Sequence, residues 1–234
     1  MKMAELYISP TGLSNFFSCP AKYRFNQQWR PVETQTFFLD GTHAHELMTG
    51  EMPDSVSPQA LRYYEDLLAM EKGADYIVLH RELRQKVHIR EDVVLVRVID
   101  AIVEHKRGYG LVDYKTANYP WFVISNGDAP ASMGFQAVAY LMRPDVLPEG
   151  LDEWPDTILF HVASQKGLPV TYAFMADQYD VNNLMDAIDI VGEAQAAGRF
   201  PKNRGYGCKF CNFTDICFDL EGWQSKYEPK RSKK

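Results

Sequence analysis

Two β-forming stretches separated by a short charged turn constrain the fold of this 234-residue chain more than any other feature. Residues 93–103 are almost entirely apolar and β-branched, and residues 109–115 resume the same character. Between them, residues 104–108 are charged and end in glycine, as a tight turn requires. The sequence therefore predicts an antiparallel hairpin whose turn is centred near Lys106 and Arg107.

Each strand of this hairpin carries one aspartate, and the turn position puts Asp100 opposite Asp113. Because side chains alternate along a strand, Asp113 and Lys115 share one face and Tyr114 points to the other. Two carboxylates beside a lysine suit Mg²⁺ or Mn²⁺ acting on a phosphate. Lys115 would then orient or help deprotonate a water, or stabilise charge in the transition state.

The alternative is that both acids are exposed strand residues and that Lys115 pairs with one of them. Motifs as short as Asp-x-Lys occur often by chance. However, Asp100 follows the apolar stretch 94–99, and an acid set into such a strand is seldom merely solvated.

The remaining pattern predicts a mixed α/β fold rather than a repeating doubly wound one. Ser9 caps a helix that begins at Pro10, and another helix that carries His45 begins near Gly41. Periodicity predicts further helices at 58–72, 132–142 and 180–197, further strands at 77–89, 156–163 and 169–174, and a loop at 120–130.

Further candidate site residues lie before and after the hairpin. His43 and His45 are two residues apart, so only one of them can face a given site from a helix. Gln136 and Tyr140 are four apart and share a helix face. Imidazole could complete a metal shell, and an amide or hydroxyl could contact phosphate, although both patterns also fit ordinary packed helices.

Composition limits the class of protein. The net charge of −6 argues against a sequence-independent DNA coat, but an enzyme can act on nucleic acid through basic patches and a bound cation. Without a long apolar run or a signal-peptide core, the sequence predicts a soluble, cytoplasmic protein. The last residues, 225–234, are predicted to form a flexible basic tail.

The four cysteines indicate a metal site rather than a disulfide scaffold. Cys208, Cys211 and Cys217 lie close together, and Cys19 lies far upstream. Thiolates from both ends of the chain could hold zinc or a [4Fe–4S] cluster. Either group would clip the end of the chain to its beginning.

Together these segments resemble the PD-(D/E)xK nuclease superfamily, and within it the RecB-like branch that carries an iron–sulfur cluster. That branch includes CRISPR adaptation nucleases, AddB-type nuclease domains and phage exonucleases. The matching segments are residues 8–10, 19–25, 41–46, 98–100, 113–116 and 136–140, and the cysteines up to Cys217.

The resemblance implies a restriction-endonuclease-like α/β core in one domain, residues 1–234, with a mixed central sheet flanked by helices. The sheet and active site would span residues 77–175, and 1–30 and 200–220 would form the cluster region. The cation ligands would be His45, Asp100, Asp113 and the Tyr114 carbonyl. Lys115, Gln136 and Tyr140 would complete the catalytic set, with Cys19, Cys208, Cys211 and Cys217 on the cluster.

The function that the resemblance implies is a Mg²⁺- or Mn²⁺-dependent deoxyribonuclease, an exonuclease or end-processing enzyme on single-stranded DNA. One or two cations would activate the attacking water. A helicase or integrase partner would be a separate chain, since this one has no helicase motifs. The competing hypothesis is a non-catalytic module of the same fold that binds DNA or clamps a partner.

Overall fold

The computed structural model describes residues 5–32, 36–118 and 129–230, and its centre is a six-stranded mixed sheet. The strands are β1 (Leu6–Ile8), β2 (Trp29–Pro31), β3 (Tyr76–Arg90), β4 (Val93–His105), β5 (Gly108–Ala117), β6 (Thr157–Ser164), β7 (Val170–Met175) and β8 (Tyr227–Pro229). The helices are α1 (Pro10–Ser18), α2 (Pro20–Gln28), α3 (Thr36–Thr49), α4 (Pro58–Gly73), α5 (Ala129–Leu141), α6 (Gln178–Ala197) and α7 (Thr214–Phe218). The mixed sheet flanked by helices agrees with the predicted restriction-endonuclease-like core.

The predicted hairpin forms the middle of the sheet. Strands β4 and β5 are antiparallel with Ala101 opposite Val112, so the same register brings Asp100 opposite Asp113. One edge of β4 pairs with β3 along nearly its whole length. Strand β6 runs parallel to β5, and β7 returns antiparallel to it.

The other edge of β4 is shared by two strands that separate. Strand β5 pairs with β4 only as far as Ala101, and β1 pairs in parallel with Val93 to Leu95. Residues 96–100 of β4 therefore have no strand partner on this edge among the described residues. We call this opening the fork, and both β1 and β5 end their pairing there.

Helices cover both faces of the sheet. Helices α3 and α4 bury Ala44, Met48, Tyr63 and Leu67 against β4 and β5. On the opposite face, α1, α5 and α6 pack Leu13, Val138, Leu184 and Ile188 against β1 and the start of β4. Helix α1 leaves β1 directly at the fork, where the Ser9 hydroxyl accepts the Gly12 N–H as predicted.

Two predicted boundaries are wrong. Helix α3 begins at Thr36 rather than near Gly41, because this glycine lies within the helix where it packs closely on β5. Residues 225–234 are not all a tail, because β8 pairs with β2 and the Lys230 N–H donates to the Gln28 carbonyl. Residues 231–234 and most of the predicted 120–130 loop lie outside the described residues.

The β2–β8 pair joins the two ends of the chain through backbone hydrogen bonds. Trp29 and Trp223 pack edge to face with ring centroids 5.5 Å apart, and Tyr227 stacks on Phe213. The two ends that the predicted iron–sulfur clip would connect are thus joined by a strand pair, which does not test that prediction. Within the described residues, no helix is both long enough and apolar enough to cross a membrane.

Candidate active site

Six of the predicted site residues meet in a cleft of about 490 Å³ at the fork. Its lining includes the start of α1, the open stretch of β4, and the residues His45, Glu82, Asp100, Asp113, Tyr114, Lys115 and Tyr140. A larger cavity of about 780 Å³ lies between the end of α4 and β6. None of its described lining residues belongs to the predicted set, so the smaller cleft is the candidate active site.

Asp113 and Lys115 point to the same face of β5, as their spacing predicts. Lys115 Nζ lies 2.6 Å from Asp113 Oδ2, and the Asp113 side chain is only 4% exposed. This close ion pair compensates the charge of the buried Asp113 Oδ2. Burial raises the pKa of Asp113, with Asp100 adding to the rise and Lys115 opposing it.

The Lys115 ammonium is stabilised by its surroundings. Burial alone would lower the pKa of Lys115, but the carboxylates of Asp113 and Asp100 outweigh it and raise the pKa overall. Lys115 is therefore a cation at neutral pH in the protein alone. In that form it can donate to a phosphate oxygen and cannot accept a proton.

Asp100 lies at the open edge of β4, where its Oδ2 accepts the Tyr114 N–H at 2.8 Å. A carboxylate thus takes the place of a backbone carbonyl just where β4 and β5 separate. Because the N–H and C=O of one strand residue point to the same edge, the Tyr114 carbonyl also faces the fork. The geometry therefore agrees with a carbonyl ligand at this position.

His45 reaches the same carboxylate from α3. Its Nε2 lies 3.1 Å from Asp100 Oδ1, and that contact raises the pKa of His45 although burial opposes the rise. His43 does not line the cleft, in agreement with the expectation that only one of the two histidines faces it.

The glycine at position 41 allows α3 to bring His45 within contact distance of Asp100. A Cβ built on Gly41 would lie 2.6 Å from Thr116 Oγ1, which is far inside van der Waals contact. The absence of a side chain lets α3 approach β5, and one helical turn later His45 meets Asp100. The Gly-x-x-x-His spacing therefore has a packing reason.

Gln136 and Tyr140 are both buried on α5. The Tyr140 side chain lines the cleft, and the carboxylates of Asp113 and Asp100 add to the burial that raises its pKa. Gln136 is a hydrogen-bond partner of Tyr140 and does not itself line the cleft. The structure thus places Tyr140 beside the acids and Gln136 behind it.

Sequence reasoning missed Glu82. This residue of β3 lies opposite Asp100, because Arg81 pairs with Ala101 and Leu83 with Ile99. Glu82 Oε1 is 3.5 Å from His45 Nε2, and the residue has a φ of 51°. A non-glycine residue at positive φ inside a strand is uncommon and often marks a functional site. This backbone conformation is visible in the structure but leaves no pattern in the sequence.

Sequence reasoning also missed Arg97, the buried residue that fixes α5 beside the cleft. Its guanidinium donates to the carbonyls of Ala139 and Tyr140 at the end of that helix and to Gln85 Oε1 on β3. It also lies over the Trp154 ring at 4.6 Å. Burial lowers the pKa of Arg97 to about 9, so it remains a cation at neutral pH.

The cleft suits a divalent cation by its donor types. Its described lining offers three carboxylates, an imidazole and the Tyr114 backbone, together with two cationic side chains, Lys115 and Arg97. Oxygen-rich sets with net negative charge are typical of Mg²⁺ and Mn²⁺ sites.

The four cysteines are free thiols in a second region, where the two ends of the chain meet. The Asn203 backbone joins Cys19 to Cys208: its N–H donates to Cys19 Sγ at 3.5 Å, and its carbonyl accepts from Cys208 Sγ at 3.9 Å. Burial raises the pKa of Cys217, and the other three thiols add to that rise. Among the described residues, however, no three sulfur atoms lie within 4.8 Å of one another.

Three solved structures are similar to this chain at low sequence identity. A candidate exonuclease from Eubacterium rectale shares 14% identity over 92% of this chain and 93% of its own, with a TM-score of 0.52. SSO0001 shares 13% identity over 93% of this chain and 88% of its own, with a TM-score of 0.48. LHK-Exo, solved in complex with dAMP, shares 10% identity over 81% of this chain and 88% of its own, with a TM-score of 0.42. The search of curated proteins found no match.

A family model matches most of the chain. The model of the PD-(D/E)XK nuclease superfamily matches residues 7–218, from β1 through the last cysteine. This range contains the whole fork and every predicted site residue, and the resemblance to the superfamily is confirmed. The chain belongs to the PD-(D/E)XK nuclease superfamily.

Proposed function

We propose that this protein is a divalent-cation-dependent deoxyribonuclease that removes nucleotides from the free ends of DNA, preferentially single-stranded DNA. The observation that carries the proposal is the convergence of His45, Asp100, Asp113 and Lys115 in one cleft, from helix α3 and from both strands of the β4–β5 hairpin. The candidate exonuclease from Eubacterium rectale, with its similar fold, favours action at ends.

In this proposal His45, Asp100, Asp113 and the Tyr114 carbonyl hold Mg²⁺ or Mn²⁺. Such an ion supplies charge neutralisation at the phosphate and lowers the pKa of a bound water to near neutrality. Lys115 keeps its proton beside the two carboxylates and stabilises the negative charge that develops on the phosphoryl oxygens. Its ammonium form makes it a poor general base, so we assign it charge stabilisation rather than deprotonation of water.

Two further elements of the cleft would position DNA. The start of α1 lines the cleft, and the partial positive charge of a helix N-terminus favours a phosphate there. Tyr140 presents its ring and hydroxyl from α5, with Gln136 holding that hydroxyl from behind. We assign these groups to orienting the strand rather than to bond cleavage.

The test of this function is cleavage of end-labelled single- and double-stranded DNA with Mg²⁺, Mn²⁺ or EDTA. We expect cation-dependent release of short products from one end, faster on single strands. His45→Gln should lower the rate at least tenfold, whereas its matched control His43→Gln, in the same helix, should retain the wild-type rate. Wild-type protein that binds DNA without cutting it would instead support the non-catalytic module.

We also propose that Cys19, Cys208, Cys211 and Cys217 hold a [4Fe–4S] cluster. Ligands of a single tetrahedral zinc lie within about 4 Å of one another, given Zn–S bonds near 2.3 Å. The thiols of this chain influence one another's protonation, but no three of their sulfur atoms lie within 4.8 Å of one another. Ligands on the separate irons of a cluster are farther apart, and this spacing favours the cluster over zinc.

Anaerobic purification tests the cluster. We expect about four irons per chain, matched by sulfide, and absorbance at about 400 nm, as for thiolate-bound clusters. Cys211→Ser should lower the iron content. The affinity of the cleft for Mg²⁺ or Mn²⁺ should be unchanged in this variant. A colourless protein with one zinc per chain would overturn the assignment. A helicase or integrase on a separate chain remains a prediction.

A further inference from the structure

The side chain of Tyr114 is anchored by two residues that have no role in the mechanism described above. Its hydroxyl donates to Glu71 Oε2 and accepts from Arg81 Nη1 at 3.2 Å. Arg81 Nη2 in turn donates to Glu71 Oε1 at 2.5 Å, so the three side chains form a closed set of hydrogen bonds. Glu71 lies in the last turn of α4 and Arg81 on β3, and neither is among the described residues that line the cleft.

The charges of this set favour a fixed arrangement. Burial alone would lower the pKa of Arg81, but its hydrogen bonds to Glu71 and Tyr114 outweigh burial and raise the pKa overall. Burial and the hydrogen bond to Glu71 both raise the pKa of Tyr114. Arg81 is therefore a cation at neutral pH, and the Tyr114 hydroxyl keeps the proton that it donates to Glu71. Charge-assisted hydrogen bonds of this kind are among the stronger ones in proteins.

The remaining parts of Tyr114 contact two of the candidate cation ligands. Its ring meets the His45 imidazole edge to face, with centroids 6.3 Å apart and an angle of 70° between the planes. Its backbone N–H donates to Asp100 Oδ2 at 2.8 Å. The ring also stacks on His161, with centroids 6.2 Å apart. Tyr114 thus connects the hydrogen-bonded set behind the cleft to the side chains inside it.

We propose that Glu71 and Arg81 are positioning residues: they hold the Tyr114 hydroxyl, and Tyr114 in turn keeps His45 and Asp100 in place for a divalent cation. An imidazole ligand depends on neighbours that fix the orientation of its ring, and the Tyr114 ring is such a neighbour of His45. Neither Glu71 nor Arg81 is assigned a contact with the cation or with DNA. This inference rests on the proposed cation-dependent function, but cation binding can be measured without DNA.

The main test removes one hydroxyl and no charge. Mn²⁺ is titrated into dialysed full-length protein, and the free ion is counted by its electron paramagnetic resonance signal. We expect Tyr114→Phe to bind Mn²⁺ about tenfold more weakly than wild type, as is typical when a residue that orients a metal ligand is changed. The matched control is Tyr76→Phe, which also loses a hydroxyl with a partner, His161 Nε2 at 2.8 Å, but lies outside the cleft. This control should bind Mn²⁺ as tightly as wild type.

Glu71 is tested by two variants that remove the same charge. In Glu71→Gln the amide oxygen can still accept the Tyr114 hydroxyl, whereas Glu71→Ala leaves no acceptor there. Mn²⁺ should therefore bind more tightly to Glu71→Gln than to Glu71→Ala. The double variant Glu71→Ala/Tyr114→Phe should bind no more weakly than the weaker single variant, because both changes break the same hydrogen bond. Thermal unfolding in EDTA shows which variants are folded, and the two Glu71 variants carry the test if Tyr114→Phe does not fold.

Three results would overturn the inference: wild-type Mn²⁺ affinity in Tyr114→Phe, an equal loss of affinity in Tyr76→Phe, or equal affinities of the two Glu71 variants. DNA cleavage measured in parallel separates this inference from the proposed function. At saturating Mn²⁺, Tyr114→Phe should lower kcat about tenfold and leave KM for DNA unchanged, because the hydroxyl is assigned no contact with DNA. Cleavage by wild type together with unaltered Mn²⁺ binding in Tyr114→Phe refutes this inference alone. The expected changes in binding without any cleavage by wild type refute the nuclease function alone.

Discussion

The close approach of α3 to β5 at Gly41 leads to the sharpest prediction about how the cleft is assembled. In Gly41→Ala, the new Cβ would lie 2.6 Å from Thr116 Oγ1. Relief to ordinary contact requires a shift of roughly 1 Å, either of the Thr116 side chain or of the helix. Because a β-branched side chain in a packed strand turns with difficulty, we expect the helix to move.

The effects on stability and on activity should differ in size. Overpacking costs about 1–3 kcal/mol, and alanine in place of glycine in a helix returns about 1 kcal/mol, so the net loss is at most about 2 kcal/mol. Displacing His45 by about 1 Å from Asp100 should lower the rate of DNA cleavage on the order of 100-fold. Urea unfolding and cleavage of end-labelled DNA measure the two quantities on the same preparations.

A second substitution tests whether the contact with Thr116 causes the loss of activity in Gly41→Ala. Thr116→Ala removes the atom that the new Cβ meets, so the double variant Gly41→Ala/Thr116→Ala should recover most of the lost activity. Gly73→Ala, on α4 where a Cβ meets nothing within 4 Å, is the matched control and should cut DNA at the wild-type rate. Full activity in Gly41→Ala, or a double variant as slow as the single one, would refute the argument that this contact positions His45.

Three further predictions concern stability. Burial lowers the pKa of His161 to about 4, so the unfolded chain binds this proton below about 6.5 while the folded protein does not. The free energy of unfolding should therefore fall by up to about 3 kcal/mol between pH 6.5 and 4, and His161→Gln should reduce this slope in urea titrations. Arg97→Leu leaves the carbonyls at the end of α5 without donors and should cost about 3 kcal/mol by urea unfolding, whereas Arg84→Leu, exposed on β3, should cost less than about 0.5 kcal/mol. The exposed Arg30–Glu228 pair, although it joins the two ends of the chain, should contribute under about 1 kcal/mol, so Arg30→Ala should unfold close to wild type. An Arg30→Ala variant much less stable than this would show that the ion pair, rather than the strand pair around it, holds the ends together.

The hairpin could be predicted because its signals are local. The position of a short turn determines which residues lie opposite each other, so the alignment of Asp100 with Asp113 needed only the turn at Lys106 and Arg107. The Ser9 cap and the start of α1 at Pro10 depend on neighbouring residues in the same way. These features position most of the candidate site.

The features that sequence reasoning missed depend on contacts between distant segments. Glu82 becomes part of the cleft only through the register of β3 against β4, and an acid in a partly exposed strand has no distinctive pattern. Gly41 seemed to mark a helix start, because glycine inside a helix is unfavourable unless packing requires it. That packing involves Thr116, 75 positions later in the chain.

The C-terminal segment was mispredicted for a related reason. Strand β8 is three residues long and forms only because β2, from the other end of the chain, supplies its partner. A basic sequence near a terminus ordinarily indicates a free tail, and no local signal distinguishes the two outcomes. The cysteine spacing indicates a metal site, but the arrangement of the four sulfur atoms follows from how the two ends meet.

The central claim is that the fork is a cation-dependent nuclease site, and one comparison tests it most directly. Cleavage of end-labelled single-stranded DNA in Mn²⁺ is measured for the wild type and Asp113→Asn, with folding confirmed by circular dichroism. The account predicts cation-dependent cleavage by the wild type and a loss on the order of 100-fold or more in Asp113→Asn, which keeps the side-chain shape and removes the charge. Equal cleavage by both proteins, or cleavage by the wild type that persists in EDTA, would contradict it.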